Sequence, residues 1–131
     1  MSSDLLGAAA EARERAYVPY SKFAMGAAVR TEDGSIHLGS LVENVSLGLA
    51  MCAERVAMFS AVAAGTGRIV ELALVSARTA GDLTTPCGAC LQVAQELAGI
   101  DVEIVVADPD GASERHALRD LAPRLPRSPR D

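Results

Sequence analysis

Aromatic residues are scarce in this sequence of 131 residues, which has two Phe, two Tyr and no Trp. Half of the residues are nevertheless hydrophobic, so the core must be built mainly from Ala, Val and Leu. Such side chains allow helices and strands to pack at short distances. The length suits one hydrophobic core rather than two, and we expect a single domain over residues 1–131.

Clustered positive charge is also missing. The formal net charge is -5, and the sequence has no long run of Lys or Arg. Binding of a phosphate backbone needs such clusters, so the composition argues against a nucleic acid polymer and favours a small-molecule partner. Arg124, Arg127 and Arg130 lie in a Pro-rich stretch that is typical of a solvated tail, expected from about residue 124 to 131.

Long hydrophobic runs and targeting signals are missing as well. No apolar stretch approaches the ~20 residues needed to span a bilayer, and residues 1–4 lack the character of a signal peptide. We therefore expect a cytoplasmic protein without a membrane partner. In a reducing compartment the three cysteines are not a disulfide framework, and an odd number cannot all pair within one chain. Metal binding or catalysis is the expected use of these thiols.

Periodicity and turn signals predict an alternation of helices and strands. In chain order the predicted segments are a helix at 4–15, strands at 23–30 and 36–41, a helix at 52–64, a strand at 69–76, a helix at 87–97, a strand at 102–107 and a short element near 117–121. The two early strands form a hairpin through an Asp-Gly turn. The later strand–helix–strand order implies parallel neighbours with right-handed crossovers. The pattern indicates an α/β protein.

The three cysteines lie at the starts of two predicted helices. CAER begins at Cys52, and PCGAC contains Cys87 and Cys90. Helix starts in a crossover fold lie at one edge of the sheet, so the three thiols can meet. Helix N-termini favour thiolates, the form that zinc binds. Three protein ligands leave a fourth tetrahedral position for water, as in catalytic zinc sites.

Two residues that follow Cys52 complete the predicted site. Glu54 is close enough to exchange protons with water at the open position without binding the metal, which is the role of a general acid and base in hydrolytic deamination. Arg55 is predicted to donate to a cysteine sulfur and offset the charge of three thiolates. An ordinary surface charge is the alternative for Arg55.

A Cys-x-x-Cys pair alone is equally typical of a redox site or a structural zinc ribbon. A redox pair has no need of Cys52, and a structural zinc needs a fourth Cys or His at ligand spacing. Neither His37, in the hairpin, nor His116, near the C-terminal end, has that spacing. The fourth position is therefore predicted to be open.

These motifs give the chain a resemblance to the small cytidine deaminases of nucleoside salvage. The similarity runs from about residue 16 to 125 and includes AYVPYSKF, GAA, VEN, CAER and PCGAC. It implies a three-layer α/β fold with a five-stranded mixed sheet flanked by helices, and a homotetramer whose active sites are shared between subunits. It also implies a Zn²⁺ cofactor at the three cysteines.

The resemblance implies substrate contacts too. Phe23 should pack beside the pyrimidine ring, and Glu43 should hydrogen-bond a sugar hydroxyl. The alternative is that Phe23 has no contact with substrate and is an aromatic side chain of the hydrophobic core. The other substrate-binding positions implied by the resemblance are Leu41, Val45, Leu47 and Ala53.

The chain departs from the family pattern on the sugar side. Where the family usually has CNVENASY, residues 40–47 read SLVENVSL, so Leu41 replaces a sugar-binding Asn and Leu47 an aromatic residue. The family's LLPGAF becomes LAPRLP at 121–126, which removes a terminal aromatic. None of these changes touches the zinc side, so we expect the chemistry to be kept.

Three hypotheses stay open at this point. The first is deamination of cytidine or 2′-deoxycytidine. The second is deamination of a modified cytosine nucleoside or another amino-azaheterocycle, such as a triazine or pterin, since blasticidin deaminases show that this kind of pocket can be re-used. The third is a non-catalytic, zinc-stabilised binding protein, against which Glu54 argues.

Overall fold

The computed structural model describes residues 2–127. In chain order the elements are α1 (Ser2–Arg13), β1 (Met25–Thr31), β2 (Ile36–Ser40), a 3-10 turn (Leu47–Leu49), α2 (Ala53–Ala64), β3 (Ile69–Ser76), α3 (Gly88–Ala98), β4 (Glu103–Ala107), β5 (Ser113–Ala117) and α4 (Leu118–Leu121). Over these residues, no helix combines the length and the apolar character needed to cross a membrane.

The five strands form one mixed sheet in the order β2-β1-β3-β4-β5. β1 is antiparallel to β2 and to β3, β3 is parallel to β4, and β4 is antiparallel to β5. The predicted α/β class with a five-stranded mixed sheet is confirmed. The prediction of parallel neighbours is confirmed for β3 and β4. β2 and β3 are not neighbours, because β1 lies between these two strands and pairs with both.

The hydrophobic pattern does not predict β5. Its sequence, SERHA, is exposed over its first three residues and half-buried over the last two. It pairs along the whole of β4, from Glu103 opposite Ala117 to Ala107 opposite Ser113. Backbone hydrogen bonds to β4, rather than an alternation of apolar side chains, place this polar strand at the edge of the sheet.

Side chains of the central strands alternate between two cores, one on each face of the sheet. On β3, Leu72 and Leu74 belong to the larger core under α2 and α3, whereas Ala73 and Val75 belong to the smaller core under α1. The period of two is that of any strand with both faces covered. The helices therefore form layers on both faces, and the predicted three-layer arrangement is confirmed.

Two glycines let helices lie directly against the sheet. A Cβ atom at Gly26 would lie 2.2 Å from the carbonyl oxygen of Ala9 in α1, and one at Gly39 would lie 2.1 Å from the carbonyl oxygen of Ala53 in α2. Both contacts are with backbone, which cannot move aside as a flexible side chain can. Gly39 therefore sets how closely β2 approaches the first turn of α2, the turn that carries Glu54.

The segment after α4 contacts the helical layer. Leu125 packs against the larger core, and the side-chain amide of Gln92 in α3 donates to the carbonyl oxygen of Pro126 at 2.9 Å. Leu125 and Pro126, near the start of the tail predicted from about residue 124, thus contact the rest of the chain. Its last four residues, 128–131, lie outside the described residues.

Candidate metal centre

The three cysteines lie at the starts of α2 and α3. Cys52 and Cys87 each precede a helix with extended backbone, at φ and ψ of -66° and 147° and of -68° and 166°, and Cys90 is in the first turn of α3. The carbonyl groups of Cys52 and Cys87 accept helical hydrogen bonds from Val56 and Leu91. Unpaired N–H groups at these helix starts favour a negatively charged sulfur.

The structure brings the three thiols into one cluster. The sulfur atoms of Cys52 and Cys87 are 3.8 Å apart, those of Cys87 and Cys90 are 3.5 Å apart, and all three lie within 4.8 Å of one another. Zinc–sulfur bonds of about 2.3 Å in a tetrahedron place sulfur atoms about 3.8 Å apart. The spacing therefore fits a zinc ion bound by three thiolates.

Neither histidine takes part in this cluster. His37 Nε2 is hydrogen-bonded to Thr66 Oγ1 at 2.8 Å, and His116 Nε2 lies 3.1 Å from a carboxylate oxygen of Glu114. Across residues 2–127, the three cysteines are the only group of three or more Cys, His, Asp or Glu side chains placed to share a metal ion. The fourth tetrahedral position accordingly has no fourth side chain of these types within the part of the chain that the structure describes.

Glu54 lies in the first turn of α2 with its side chain 1% exposed. Its Oε1 atom is buried and makes no hydrogen bond. Burial raises the pKa of the carboxyl to about 7. A buried carboxyl with an open acceptor, two residues from a metal-binding thiol, is suited to receive and release a proton near neutral pH.

Arg55 contacts the sulfur cluster directly. One terminal nitrogen of its guanidinium group donates to Cys52 Sγ at 3.1 Å, while its Nε atom is buried without a partner. The interpretation of Arg55 as a mere surface charge does not fit this contact. A guanidinium on the sulfur offsets part of the charge that three thiolates would add.

The cysteines influence one another's protonation. Hydrogen bonding to Cys90 and to Arg55 lowers the pKa of the Cys52 thiol to about 5. The same contact with Cys52, together with burial, raises the pKa of Cys90. These contacts favour the thiolate at Cys52, the form in which cysteine binds zinc. We call Cys52, Glu54, Cys87 and Cys90 the metal wall.

A short backbone ladder joins β2 to the metal wall. Val42 and Met51 form an antiparallel bridge. Val42 N lies 3.1 Å from Met51 O, and Met51 N lies 2.9 Å from Val42 O. Leu41 therefore lies one residue before a bridge whose other member, Met51, precedes Cys52. Leu41 is half-buried and packs against the larger core.

A second chain segment extends this ladder. Tyr17 N donates to Leu41 O at 2.8 Å, and Glu43 N donates to Tyr17 O at 2.9 Å. The loop that follows α1 is thereby held parallel to the segment that follows β2. We call residues 17–23 and 41–43 the rim.

The Glu43 carboxylate is bound by the loop of the rim. Its Oε1 accepts the backbone N–H groups of Tyr20 and Ser21 at 3.1 and 3.2 Å, and its Oε2 accepts the Ser21 hydroxyl at 2.5 Å. The hydrogen bond from the Ser21 hydroxyl contributes most to holding the pKa of Glu43 below its usual value.

Sequence reasoning did not assign a role to Ser21. A Ser two residues before Phe23 in a loop is a signal for a local side-chain turn, and Phe23 N does donate to Ser21 Oγ at 3.0 Å.

The remaining predicted substrate-binding residues differ in environment. Phe23 is half-buried and Ala53 is wholly buried at the start of α2. Val45 and Leu47 are 80% and 84% exposed, so within the described chain they project into solvent.

The chain is similar in sequence and in structure to known proteins. A family model described as the cytidine and deoxycytidylate deaminase zinc-binding region matches residues 1–107. The cytidine deaminase of Halalkalibacterium halodurans is 40% identical over 119 residues, which cover 91% of this chain and 89% of the relative. That of Mycobacterium tuberculosis is 44% identical over 100 residues, which cover 76% and 74%. A crystal structure of cytidine deaminase from Burkholderia pseudomallei matches with a TM-score of 0.88 at 43% identity, covering 95% of this chain and 98% of that chain.

Proposed function

Because the chain belongs to the family of zinc-binding cytidine and deoxycytidylate deaminases, we propose that it hydrolyses the exocyclic C–N bond of a cytosine nucleoside and releases ammonia. The observation that carries the proposal is Glu54 Oε1, which is buried without a hydrogen-bond partner at the start of α2, two residues after Cys52. A purely structural zinc site has no use for such a carboxylate, since an unpaired buried acceptor costs free energy.

In the proposed mechanism, Cys52, Cys87 and Cys90 hold the zinc ion. Zinc in such a site supplies Lewis acidity that makes water a nucleophile near neutral pH. Arg55 donates to Cys52 Sγ and so withdraws negative charge from the ligand set.

Glu54 moves the protons of the reaction. Its Oε1 accepts a proton from the attacking water and passes one to the ring nitrogen next to the amino-bearing carbon. It then takes the proton of the hydroxyl now on that carbon and passes it to the amino group, so the C–N bond breaks, ammonia leaves and the ring carbon keeps the oxygen as a carbonyl. Burial raises the pKa of the Glu54 carboxyl above its usual value, which suits a group that must both accept and donate a proton.

The rim is proposed to bind the rest of the substrate. Phe23 packs against the ring and Glu43 accepts a hydrogen bond from a sugar hydroxyl. Leu41 supports a second candidate substrate, a cytosine-like amine with a less polar substituent, because an apolar residue stands here, one position before the Val42–Met51 bridge, where the family pattern has an Asn.

Metal analysis and an ammonia-release assay test this function together. We expect about one zinc per chain, with sulfur ligands from the protein and no imidazole, and ammonia release from cytidine or from another member of a panel of cytosine nucleosides, triazine amines and pterin amines. Protein without zinc, or an imidazole ligand seen by X-ray absorption, would contradict the proposed centre.

We further propose a homotetramer with shared active sites. Large apolar side chains are exposed in the segment between β2 and α2, at Val45, Leu47 and Leu49, and on α2 itself, at Phe59 and Val62. If other copies of the chain cover these side chains, the apolar surface is removed from water, and this stabilises the assembly. Light scattering at working concentration measures the assembly, and a fully active monomer would refute it.

A cytoplasmic location is proposed as well. All three cysteines are free thiols, and a reducing compartment keeps thiols available to zinc. Recovery of the protein from a non-cytoplasmic fraction of its own cells would contradict this.

A further inference from the structure

The rim contains one hydroxyl group that links two parts of the site. Ser21 Oγ donates to Glu43 Oε2 at 2.5 Å and accepts the backbone N–H of Phe23 at 3.0 Å. The carboxylate of Glu43 and the backbone that carries the Phe23 ring are therefore joined through Ser21.

The turn that contains Ser21 depends on these bonds. Lys22, the next residue, has a φ of 61°, which is uncommon for a residue other than glycine. Such backbone costs free energy and persists only where surrounding contacts hold it. Here the contacts are those among Ser21, Glu43 and Phe23, together with a hydrogen bond from Lys22 N to Val18 O at 3.0 Å.

The acceptor positions of Glu43 are almost all used. A carboxylate offers about four of them. Two backbone N–H groups occupy Oε1, and the Ser21 hydroxyl occupies one position on Oε2. One acceptor position remains on Oε2. The hydrogen bond from Ser21 helps to fix the orientation of the carboxylate, and with it the direction in which this remaining position points.

The backbone next to Glu43 is joined to the segment that enters α2. The residue before Glu43, Val42, is bridged to Met51, and Met51 precedes Cys52. A ring held at the metal wall would place its substituent near the rim. A neutral hydrogen-bond donor on that substituent could use the open acceptor, whereas an anionic group would meet a like charge.

We propose that Ser21 is a positioning residue, whose hydroxyl aims the remaining acceptor of Glu43 at a neutral hydroxyl group on the substrate. This inference rests on the proposed function, because it takes a cytosine-type ring to lie at the metal wall.

Kinetics of Ser21→Ala on two substrates test this inference. With cytidine we expect KM to rise by about fivefold to tenfold, the scale of one lost hydrogen bond, while kcat changes by less than about twofold. With 1-methylcytosine, which has the ring but no sugar, kcat/KM should stay within about twofold of wild type. Ser21→Thr keeps the hydroxyl and should restore the KM for cytidine, and Ser35→Ala, at the hairpin turn, serves as the matched control.

A double-mutant cycle separates positioning from general loosening of the loop. In a Glu43→Gln background, Ser21→Ala should change the KM for cytidine by less than about twofold, because the hydroxyl acts through the carboxylate. Amide hydrogen exchange provides a readout that does not depend on activity. The N–H groups of Tyr20, Ser21 and Phe23 should exchange faster in Ser21→Ala, with the rest of the chain unchanged.

Three results would overturn the inference. They are a wild-type KM for cytidine in Ser21→Ala, an equal loss with 1-methylcytosine, or additive effects in the cycle. A wild-type protein that carries zinc but releases no ammonia from any cytosine nucleoside would instead overturn the proposed function, and the inference with it.

Discussion

The metal wall and the rim adjoin each other but are held by different physical means. In the metal wall, Glu54 is 1% exposed and Cys90 wholly buried, and both sit on helices packed against the sheet. In the rim, the bonds between Ser21 and Glu43 are exposed to solvent and lie in a loop. Water can replace a lost partner in the rim, whereas a buried group in the metal wall would be left unsatisfied.

The departures from the family pattern follow this division. Leu41 belongs to the rim and Leu47 to the exposed segment after it, whereas CAER and PCGAC of the metal wall match the pattern fully. A site built this way can change the substituent it accepts without changing its chemistry. Substitutions in the two regions should accordingly have effects of different kind and size.

Glu54→Gln tests the metal wall most directly and should have the largest effect. We expect turnover to fall by at least ~100-fold, the usual contribution of a positioned acid and base, with zinc content and fold retained. Steady-state kinetics, metal analysis and circular dichroism measure the three properties. Glu14→Gln, an exposed position after α1, is the matched control. Near-normal turnover in Glu54→Gln would remove this residue from the mechanism.

Gly39→Ala and Gly26→Ala compare the two faces of the sheet. Each places a Cβ within 2.2 Å of helix backbone, so both should lower the free energy of unfolding by about 3 kcal/mol. Only Gly39→Ala should also weaken zinc binding, because it displaces the start of α2. Thermal melts and zinc titration measure this, with Gly48→Ala, where the added Cβ meets no atom within 4 Å, as control. Equal zinc loss in the Gly26 variant would show that the metal wall depends on both faces.

Arg55→Gln should have an intermediate effect. Loss of the guanidinium beside Cys52 Sγ is expected to lower zinc affinity or turnover by about 10-fold or somewhat more, at the low end for residues that orient a metal ligand. Competition with a chelator measures zinc affinity separately from activity. Arg55→Lys keeps the charge and should lose less. A wild-type affinity and turnover in Arg55→Gln would make the contact incidental.

Leu41→Asn tests whether the rim sets substrate preference, and should have the smallest effect. The wild type is expected to use cytidine weakly, because a sugar hydroxyl facing Leu41 lacks a partner. Restoring a polar partner should raise kcat/KM for cytidine by about fivefold, the low end for one hydrogen bond, since water or Glu43 recovers part of the loss. If wild type already works on cytidine near ~10⁶ M⁻¹s⁻¹ and Leu41→Asn changes nothing, the altered-substrate hypothesis fails.

Most of the fold could be predicted from the sequence because its signals are local. Apolar runs marked β3 and β4, an Asp-Gly turn marked the hairpin, and glycine marked the end of α2. The edge strand β5 could not be found this way, because its polar residues carry no alternation and its pairing with β4 is a tertiary contact. The position of β1 between β2 and β3 was also missed, since strand order depends on pairing along both edges of β1.

The candidate site divides in the same way. Local sequence alone determined the thiols, their places at two helix starts and the carboxylate of Glu54, because a motif and the helix that positions it lie within a few residues. Only the tertiary structure decided that Ser21 binds Glu43, 22 residues away, and that Val45 and Leu47 face solvent. These contacts depend on how loops and side chains from separate elements come together, which no local propensity specifies.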